Sequence, residues 1–160
     1  MLWNMIDRHE YEITLVNIDE KPDDSDISYV QGDAADLSET FRDAQFDIAF
    51  SNSVIEHVGD ETRQELFAKE VKRVAARFWV QTPSPKFPLE VHTSVPQYWR
   101  LPPRFRGALH RRWREKYPAW QQMIEGTRPI TTERMRELFP EAHIITERMF
   151  GFEKSIIAYN

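Results

Sequence analysis

The chain has 160 residues, a formal net charge of −5 and a hydrophobic fraction of 41%. This length predicts one domain, and the acidic balance argues against a general nucleic-acid-binding protein. The chain has no cysteine, which excludes a disulfide framework and a thiolate metal site. The first residues, "MLWNMIDRHEYE", are charged where a signal peptide is apolar, and no stretch approaches ~20 consecutive apolar residues. We therefore expect a cytoplasmic protein without a transmembrane segment.

The first third of the chain alternates apolar stretches with polar turns. The apolar spacing in "LWNMIDRHE" (2–10) predicts the end of a helix. Three β-branched and apolar stretches follow, "ITLVNID" (13–19), "ISYVQGD" (27–33) and "FDIAFSN" (46–52). Each is bounded by turn residues, so we predict three strands.

The middle of the chain begins with its clearest helix, predicted over 60–76, where acidic residues come first and basic residues last. "RFWVQTP" (77–83) predicts a fourth strand. The range from Pro83 to Pro118 then contains seven prolines, including both ends, a density that argues against long regular elements. We accordingly predict an irregular, Pro/Arg-rich, substrate-side insertion over 83–130 within a single domain over 1–160.

The end of the chain returns to regular structure. "TTERMRELFP" (131–140) predicts a short helix capped by Thr131. The stretches 143–150 and 153–159 predict a hairpin around Gly151.

This element order predicts an α/β fold, a Rossmann-like and mostly parallel sheet with a C-terminal antiparallel hairpin. In such sheets ligands bind at the carboxyl ends of the strands. The residues at the predicted strand ends are Asp19, Asp33, Ser51 with Asn52, and Gln81 with Thr82.

The two acids at successive strand ends point to a nucleoside ligand. A carboxylate such as Asp19 can accept hydrogen bonds from both hydroxyls of a ribose. Asp33 could accept one from an exocyclic amine such as that of adenine. A ribose acid alone also suits an NAD-dependent oxidoreductase, which stays open as an alternative.

The segments "VNIDE", "VQGDAADL", "FDIAFSNSVIEHV" and "FWVQTP", in this order, resemble class I S-adenosylmethionine-dependent methyltransferases. The similarity is to the methyltransferase type 11 group and covers residues 13–159. It implies S-adenosylmethionine as cofactor, and transfer of its methyl group to a small-molecule or glycan- or lipid-linked acceptor. It also implies that Asp19 holds the ribose and that Asp33 and Ala34 border the adenine.

The same resemblance implies roles for the stretch after the third strand. Ser51 and Asn52 would line the methionine end of the cofactor, and His57 would lie near the transferred methyl group. A histidine titrates near neutral pH, so His57 is a candidate general base. The alternative is that His57 packs at the start of a helix.

One feature of the family is absent from the sequence. The family's first strand ends in a Gly-rich loop, whereas no glycine precedes "VNIDE" here. We therefore expect an N-terminally truncated domain whose first strand is missing and whose methyl transfer is impaired. The alternative is a non-catalytic methyltransferase-like remnant that acts as a binding or partner subunit. An exposed sheet edge would then allow self-association.

Two further segments could contact the acceptor. "QTPSPKFPLEVHTSVPQYW" (81–99) resembles the segment that lies over the active site in some of these enzymes, and Glu90 and His92 are candidate catalytic residues there. The alternative is a rigid covering loop.

The stretch 100–116 holds six arginines and one lysine against one glutamate, which suits an anionic substrate or a solvated lid. "PDDSD" (22–26) lacks the ligand spacing of a calcium loop, and we predict no metal site.

Overall fold

The computed structural model describes residues 10–20, 27–89, 93 and 95–160 of the chain. The helix end predicted at 2–10 and the candidate residues Glu90 and His92 lie outside these residues, apart from position 10. The elements in chain order are β1 (Thr14–Asn17), β2 (Ser28–Gln31), β3 (Phe46–Asn52), α1 (Glu61–Val74), β4 (Ala75–Pro83), α2 (Pro103–Lys116), α3 (Pro118–Gly126), α4 (Thr132–Leu138), β5 (His143–Met149) and β6 (Phe152–Tyr159). Short 3₁₀ turns occupy Ile55–His57 and Tyr98–Arg100.

The described strands form two sheets. β1 and β2 pair in parallel, and the larger sheet has the order β3-β4-β6-β5. Within the larger sheet β3 and β4 are parallel, while β6 is antiparallel to both of its neighbours. The predicted α/β fold with parallel strands and a C-terminal antiparallel hairpin is therefore confirmed.

The sequence explains where the regular elements begin and end. The Asp60 side chain caps α1 by accepting a hydrogen bond of 3.0 Å from the backbone N–H of Arg63. Thr131 caps α4 in the same way, with a distance of 3.1 Å to the backbone nitrogen of Arg134. The hairpin turns at Gly151, whose positive φ of 81° suits a glycine. The predicted cap at Thr131 and the predicted turn at Gly151 are confirmed.

The expectation of an irregular insertion over 83–130 is wrong for its second half. Two helices, α2 and α3, lie in this range, and α2 alone has 14 residues. Pro103 and Pro118 each occupy the first turn of a helix, where the missing N–H would have no intrahelical partner. Proline density therefore marked helix starts here as well as loops.

The main core lies between the larger sheet and the helices α1 and α4. Its buried residues include Phe67 from α1, Val80 from β4, Met135 from α4 and Ile156 from β6. The packing fixes the carboxyl ends of β3 and β4 side by side, because their parallel register pairs Asn52 with Gln81.

The two sheets are joined by packing. A smaller buried cluster of Leu37, Phe41, Val74 and Ala75 contacts Val16 and Val30 from the first sheet and Phe46 and Ala49 from β3. Ile48 of β3 is 60% exposed, and β3 is an edge strand among the described strands of the larger sheet. Apolar exposure at an edge strand is a feature of surfaces that bind another chain.

Candidate active site

The first two strand ends lie at the same edge of the smaller sheet, because β1 and β2 are parallel and Asn17 pairs with Gln31. Asp19 follows β1 and is exposed. Its backbone carbonyl accepts a hydrogen bond of 2.6 Å from the Tyr29 hydroxyl, which fixes the chain at this point. The structure thus places Asp19 at an accessible strand end.

The carboxylate of Asp33 is held by α1. Its Oδ2 forms an ion pair with the guanidinium of Arg63, and its Oδ1 accepts a 3.0 Å hydrogen bond from the N–H of Ala35. The Arg63 hydrogen bond holds the pKa of Asp33 below its usual range, against the opposing effect of burial. Ala34 is half-buried and packs against the main core. The sequence did not predict Arg63 as the partner of Asp33.

Arg63 also contacts the turn that precedes α1. Its Nε donates a 3.2 Å hydrogen bond to the carbonyl of Val58. The next residue, Gly59, has a φ of 126° and lies against the Arg63 side chain. A Cβ at position 59 would lie 3.1 Å from the Cγ of Arg63, closer than ordinary contact. Glycine therefore satisfies both the backbone conformation and the space beside Arg63.

The end of β3 carries a buried hydroxyl. The Oγ of Ser51 has no hydrogen-bond partner within the described part of the chain. Asn52 is exposed, and its Oδ1 accepts a 3.2 Å hydrogen bond from the Ser53 hydroxyl. Ser53 itself has a left-handed φ of 57°, an uncommon conformation for a residue with a side chain. A buried hydroxyl without a partner and strained backbone next to it are features of ligand sites.

A buried carboxylate lies directly beyond β3. Glu56 is 2% exposed, and its Oε2 accepts a 2.9 Å hydrogen bond from the hydroxyl of Thr82 at the end of β4. The backbone carbonyl of Glu56 accepts a 2.7 Å hydrogen bond from the N–H of Arg128. The turn after β3 is therefore fixed both to β4 and to the segment that follows α3.

His57 lies beside this carboxylate and is oriented by a threonine. Its Nε2 is 3.9 Å from the Oε1 of Glu56, and its Nδ1 is 3.2 Å from the Oγ1 of Thr127. The Thr127 hydroxyl donates to the carbonyl of Met123 at 2.9 Å, so towards His57 it acts as acceptor. In the neutral ring this arrangement places the proton on Nδ1 and the basic lone pair on Nε2.

A narrow pocket opens at the carboxyl end of β4, next to the Glu56 carboxylate. Its cavity volume is about 20 Å³. The residues that line it include Glu56, Ser84, Phe87, Leu89, Trp99 and Lys154. The pocket joins the end of β4 to β6 and to the Pro-rich segment after β4, which contributes Phe87 and Leu89 to its lining.

Most of the arginine-rich stretch forms α2, which has no buried residue. Its inner side contacts α3 and the 3₁₀ turn through aromatic rings, with Trp113 and Trp120 4.8 Å apart between centroids. The Nε2 of His110 and the hydroxyl of Tyr98 are 2.7 Å apart. α2 is thus an exposed cationic helix anchored by an aromatic cluster, and the alternative of a solvated lid remains open.

Sequence reasoning named His57 as a candidate and Thr82 as a strand-end residue, but it did not predict the contacts around them. Glu56, Thr82 and Thr127 all contribute to the site. The adjacent Glu-His pair in "SNSVIEHV" and the threonine at the end of "FWVQT" were visible, yet their hydrogen bonds span 26 residues or more. Only the three-dimensional register of β3 and β4 brings them together.

Within the described residues, no group of three or more His, Asp or Glu side chains is arranged to hold a metal ion. The helices of the same part of the chain include none that is long and apolar enough to cross a membrane.

Comparison with solved structures finds several methyltransferases at low sequence identity. An S-adenosylmethionine-dependent methyltransferase of Methanosarcina mazei is 17% identical, with 92% of this chain and 81% of the other covered and a TM-score of 0.49. A methyltransferase from Thermotoga maritima is 16% identical, with 83% of this chain and 64% of the other covered and a TM-score of 0.44. A chain from a complex of the Haloferax volcanii Trm112 methyltransferase activator with a methyltransferase is 14% identical, with 86% of this chain and 62% of the other covered and a TM-score of 0.45.

No curated protein matches the sequence significantly. The family model described as "Methyltransferase domain" matches residues 4–77. This range contains the ends of the first three strands and the whole Glu56–His57 turn. The family match therefore supports, over residues 4–77, the predicted resemblance to methyltransferases.

Proposed function

We propose that this domain transfers a methyl group from S-adenosylmethionine to a small-molecule acceptor. The observation that carries the proposal is the buried Ser51 hydroxyl at the end of β3, which has no hydrogen-bond partner in the described residues and is followed in the chain by the Glu56–His57 turn. Both lie within the range that matches the methyltransferase family. The family match favours the methyl donor over the alternative of an NAD-dependent oxidoreductase.

The residues present fit the cofactor at three points. Asp19 is exposed at a strand end, where its carboxylate can accept both ribose hydroxyls. Asp33 is kept ionised by Arg63, and a carboxylate with two engaged oxygens still has lone pairs for an amine donor. The buried Ser51 hydroxyl needs a partner, and a polar group of the cofactor's methionine end would supply one. Ala34 and Asn52 would complete the contacts around the adenine and the methionine.

The sulfonium of the cofactor activates the methyl group, so the protein has to orient the acceptor and remove a proton. His57 suits the second task. Its hydrogen bond with Thr127 directs the basic Nε2 away from the threonine, and the buried Glu56 carboxylate 3.9 Å away would stabilise the imidazolium once formed. Glu90 and His92 stay candidates for acceptor contacts in the segment after β4.

The charge of α2 narrows the class of acceptor. The cationic helix α2 favours an acceptor that carries an anionic group, such as a phosphate or the head group of a lipid-linked glycan.

Calorimetric titration of the whole chain with S-adenosylhomocysteine and, separately, with NADH tests the cofactor. We expect binding of the first and none of the second. Tight binding of NADH without a response to S-adenosylhomocysteine would overturn the proposal. Transfer of radiolabelled methyl groups from S-adenosylmethionine to a mixture of small-molecule acceptors then tests the reaction, and His57→Gln should reduce its rate about 10²–10⁴-fold while leaving cofactor affinity unchanged.

The exposed face of β3 favours a second candidate, a non-catalytic subunit that binds a partner or itself through this strand. Ile48 is 60% exposed at the edge of the larger sheet. Sedimentation of the wild type and of Ile48→Lys tests it, with Ile145→Lys on the other edge strand as control, since Ile145 is 43% exposed. A dimer that only Ile48→Lys dissociates, together with no cofactor binding, would favour the subunit over the enzyme.

A further inference from the structure

Helix α2 carries a concentrated positive charge on an otherwise acidic chain. Its 14 residues include six basic ones and one acid, whereas the whole chain has a formal net charge of −5. The helix has no buried residue, so these charges lie at the surface. A local field of this kind attracts an anionic partner to one place, while the acidic remainder of the chain repels it elsewhere.

Most of the charges on α2 are not neutralised by acids of the chain. Arg114 is 3.7 Å from a carboxylate oxygen of Glu125 in α3. Four exposed cations of the helix have no ion pair within the described residues: Arg104, Arg111, Arg112 and Lys116. An internal ion pair would weaken their attraction for an external anion, so these four charges stay available to one.

The four cations lie in two adjoining rows on the outer side of the helix, together with one aromatic ring. Residues seven positions apart share a row, which places Arg104 with Arg111 and Phe105 with Arg112. Lys116 continues the second row, four positions after Arg112. Phe105 is 52% exposed, and the guanidinium carbon of Arg104 is 5.0 Å from its ring centroid. The outer side of α2 therefore combines cations with an exposed apolar ring.

The inner side of α2 is fixed to the rest of the protein. Trp113 packs on Trp120 of α3, with 4.8 Å between the ring centroids. Directly after α3, the hydroxyl of Thr127 is 3.2 Å from the Nδ1 of His57. The cationic side is thus presented by a packed pair of helices that leads to the candidate active site.

We propose that α2 docks the protein on an anionic lipid bilayer, with its cations at the lipid phosphates and Phe105 in the interfacial region. The inference goes beyond the proposed function and does not depend on it. A bilayer is flat, so it can contact one side of a single helix while the acidic remainder of the chain faces away. An exposed phenyl ring gains apolar burial at a bilayer surface, which the phosphate backbone of a nucleic acid does not offer.

Sedimentation of the whole chain with phospholipid vesicles tests this inference. We expect binding to vesicles of phosphatidylcholine with phosphatidylserine, none to vesicles of phosphatidylcholine alone, and an affinity that falls as salt rises. Arg111→Glu combined with Arg112→Glu should weaken binding at least about tenfold. The matched control is Arg77→Glu with Arg136→Glu, which makes the same change at exposed arginines outside α2 and should keep most of the affinity.

Phe105→Ala distinguishes a bilayer from a soluble anion. It keeps every charge of α2 and should weaken vesicle binding about fivefold, with thermal unfolding unchanged because the ring is exposed. Single-stranded RNA and glycerophosphoserine supply phosphate from other sources, and we expect neither to displace the protein from the vesicles at equal phosphate concentration.

The inference would be overturned by equal vesicle affinity of the wild type and either the Arg111/Arg112 variant or Phe105→Ala. Absence of vesicle binding, equal binding to phosphatidylcholine alone, or displacement by RNA or by the soluble head group would overturn it as well. Titration with S-adenosylhomocysteine is a separate measurement, and its failure would refute the methyltransferase proposal alone.

Discussion

The hydroxyl of Thr82 donates a 2.9 Å hydrogen bond to the carboxylate of Glu56, and both side chains are almost fully buried. The bond joins the end of β4 to the 3₁₀ turn after β3. Thr82→Val keeps the shape and removes the donor, so the free energy of unfolding should fall by about 1–3 kcal/mol. Urea denaturation measures it. Thr82→Ser, which retains the donor, is the control, and a valine variant as stable as the wild type would contradict the importance of this bond.

Glu70 should make stability depend on pH. It is 7% exposed, accepts a 3.0 Å hydrogen bond from the N–H of Leu37, and forms an ion pair of 2.6 Å with Arg73. The Arg73 hydrogen bond is the main cause that lowers the pKa of Glu70 in the folded state. Because the folded value lies below the unfolded one of ~4.3, the contribution is complete above that pH and is lost as pH falls through the lowered value.

The test compares the wild type with Glu70→Gln by urea denaturation from pH 7 to pH 2.5. The variant should be less stable by about 1–3 kcal/mol at neutral pH, and the difference should shrink below about pH 4. Glu65→Gln removes an ion pair in which Glu65 is 63% exposed, and it should cost less than about 1 kcal/mol. A constant gap between wild type and Glu70→Gln at every pH would show that the pair does not couple to protonation.

Asp19→Ala should weaken S-adenosylhomocysteine by well over tenfold. A carboxylate that accepts two ribose hydroxyls contributes ~2–3 kcal/mol of binding free energy. Calorimetry measures the affinity, and Glu20→Ala is the control because Glu20 is the next residue and is also exposed. If the two variants bind the cofactor equally, Asp19 serves the turn and not the ligand.

Reversal of charge on α2 tests whether the acceptor is anionic. Arg111→Glu combined with Arg112→Glu should raise the KM for an anionic acceptor and reduce its salt dependence, with cofactor affinity unchanged. Both arginines are exposed. The control double variant, Arg77→Glu with Arg136→Glu, makes the same change at exposed arginines outside α2. Equal KM values in the two double variants would leave α2 as a solvated lid.

The sequence predicted best where local patterns decide the structure. The apolar stretch at 46–52 coincides with β3, and the cap at Thr131 forms as expected. Local patterns failed over 83–130, because a proline at a helix start and a proline in a loop look alike in sequence. The difference depends on whether the following residues find a surface to pack on, and the aromatic cluster around Trp113 supplies one.

The site was predicted only in outline for a related reason. Ligands bind at the carboxyl ends of strands in such sheets, so Asp19, Ser51 and His57 could be named from the sequence as candidates. The partners that fix those residues come from distant parts of the chain, as with Arg63 for Asp33 and Thr127 for His57. Periodicity and spacing carry no information on such pairs, and the burial of Glu56 depends on the packing of several elements at once.

The conformation of Gly59 connects the turn before α1 to the Arg63–Asp33 ion pair, so substitutions at these positions should not be independent of one another. Any other residue at 59 would meet Arg63 and strain the left-handed turn, and Arg63 is the cation that pairs with Asp33. Positions 33, 59 and 63 should therefore covary among homologues. Homologues that lack the glycine should also lack the Arg63–Asp33 pair or have other residues in its place. The residue at position 20 should vary independently of these three positions.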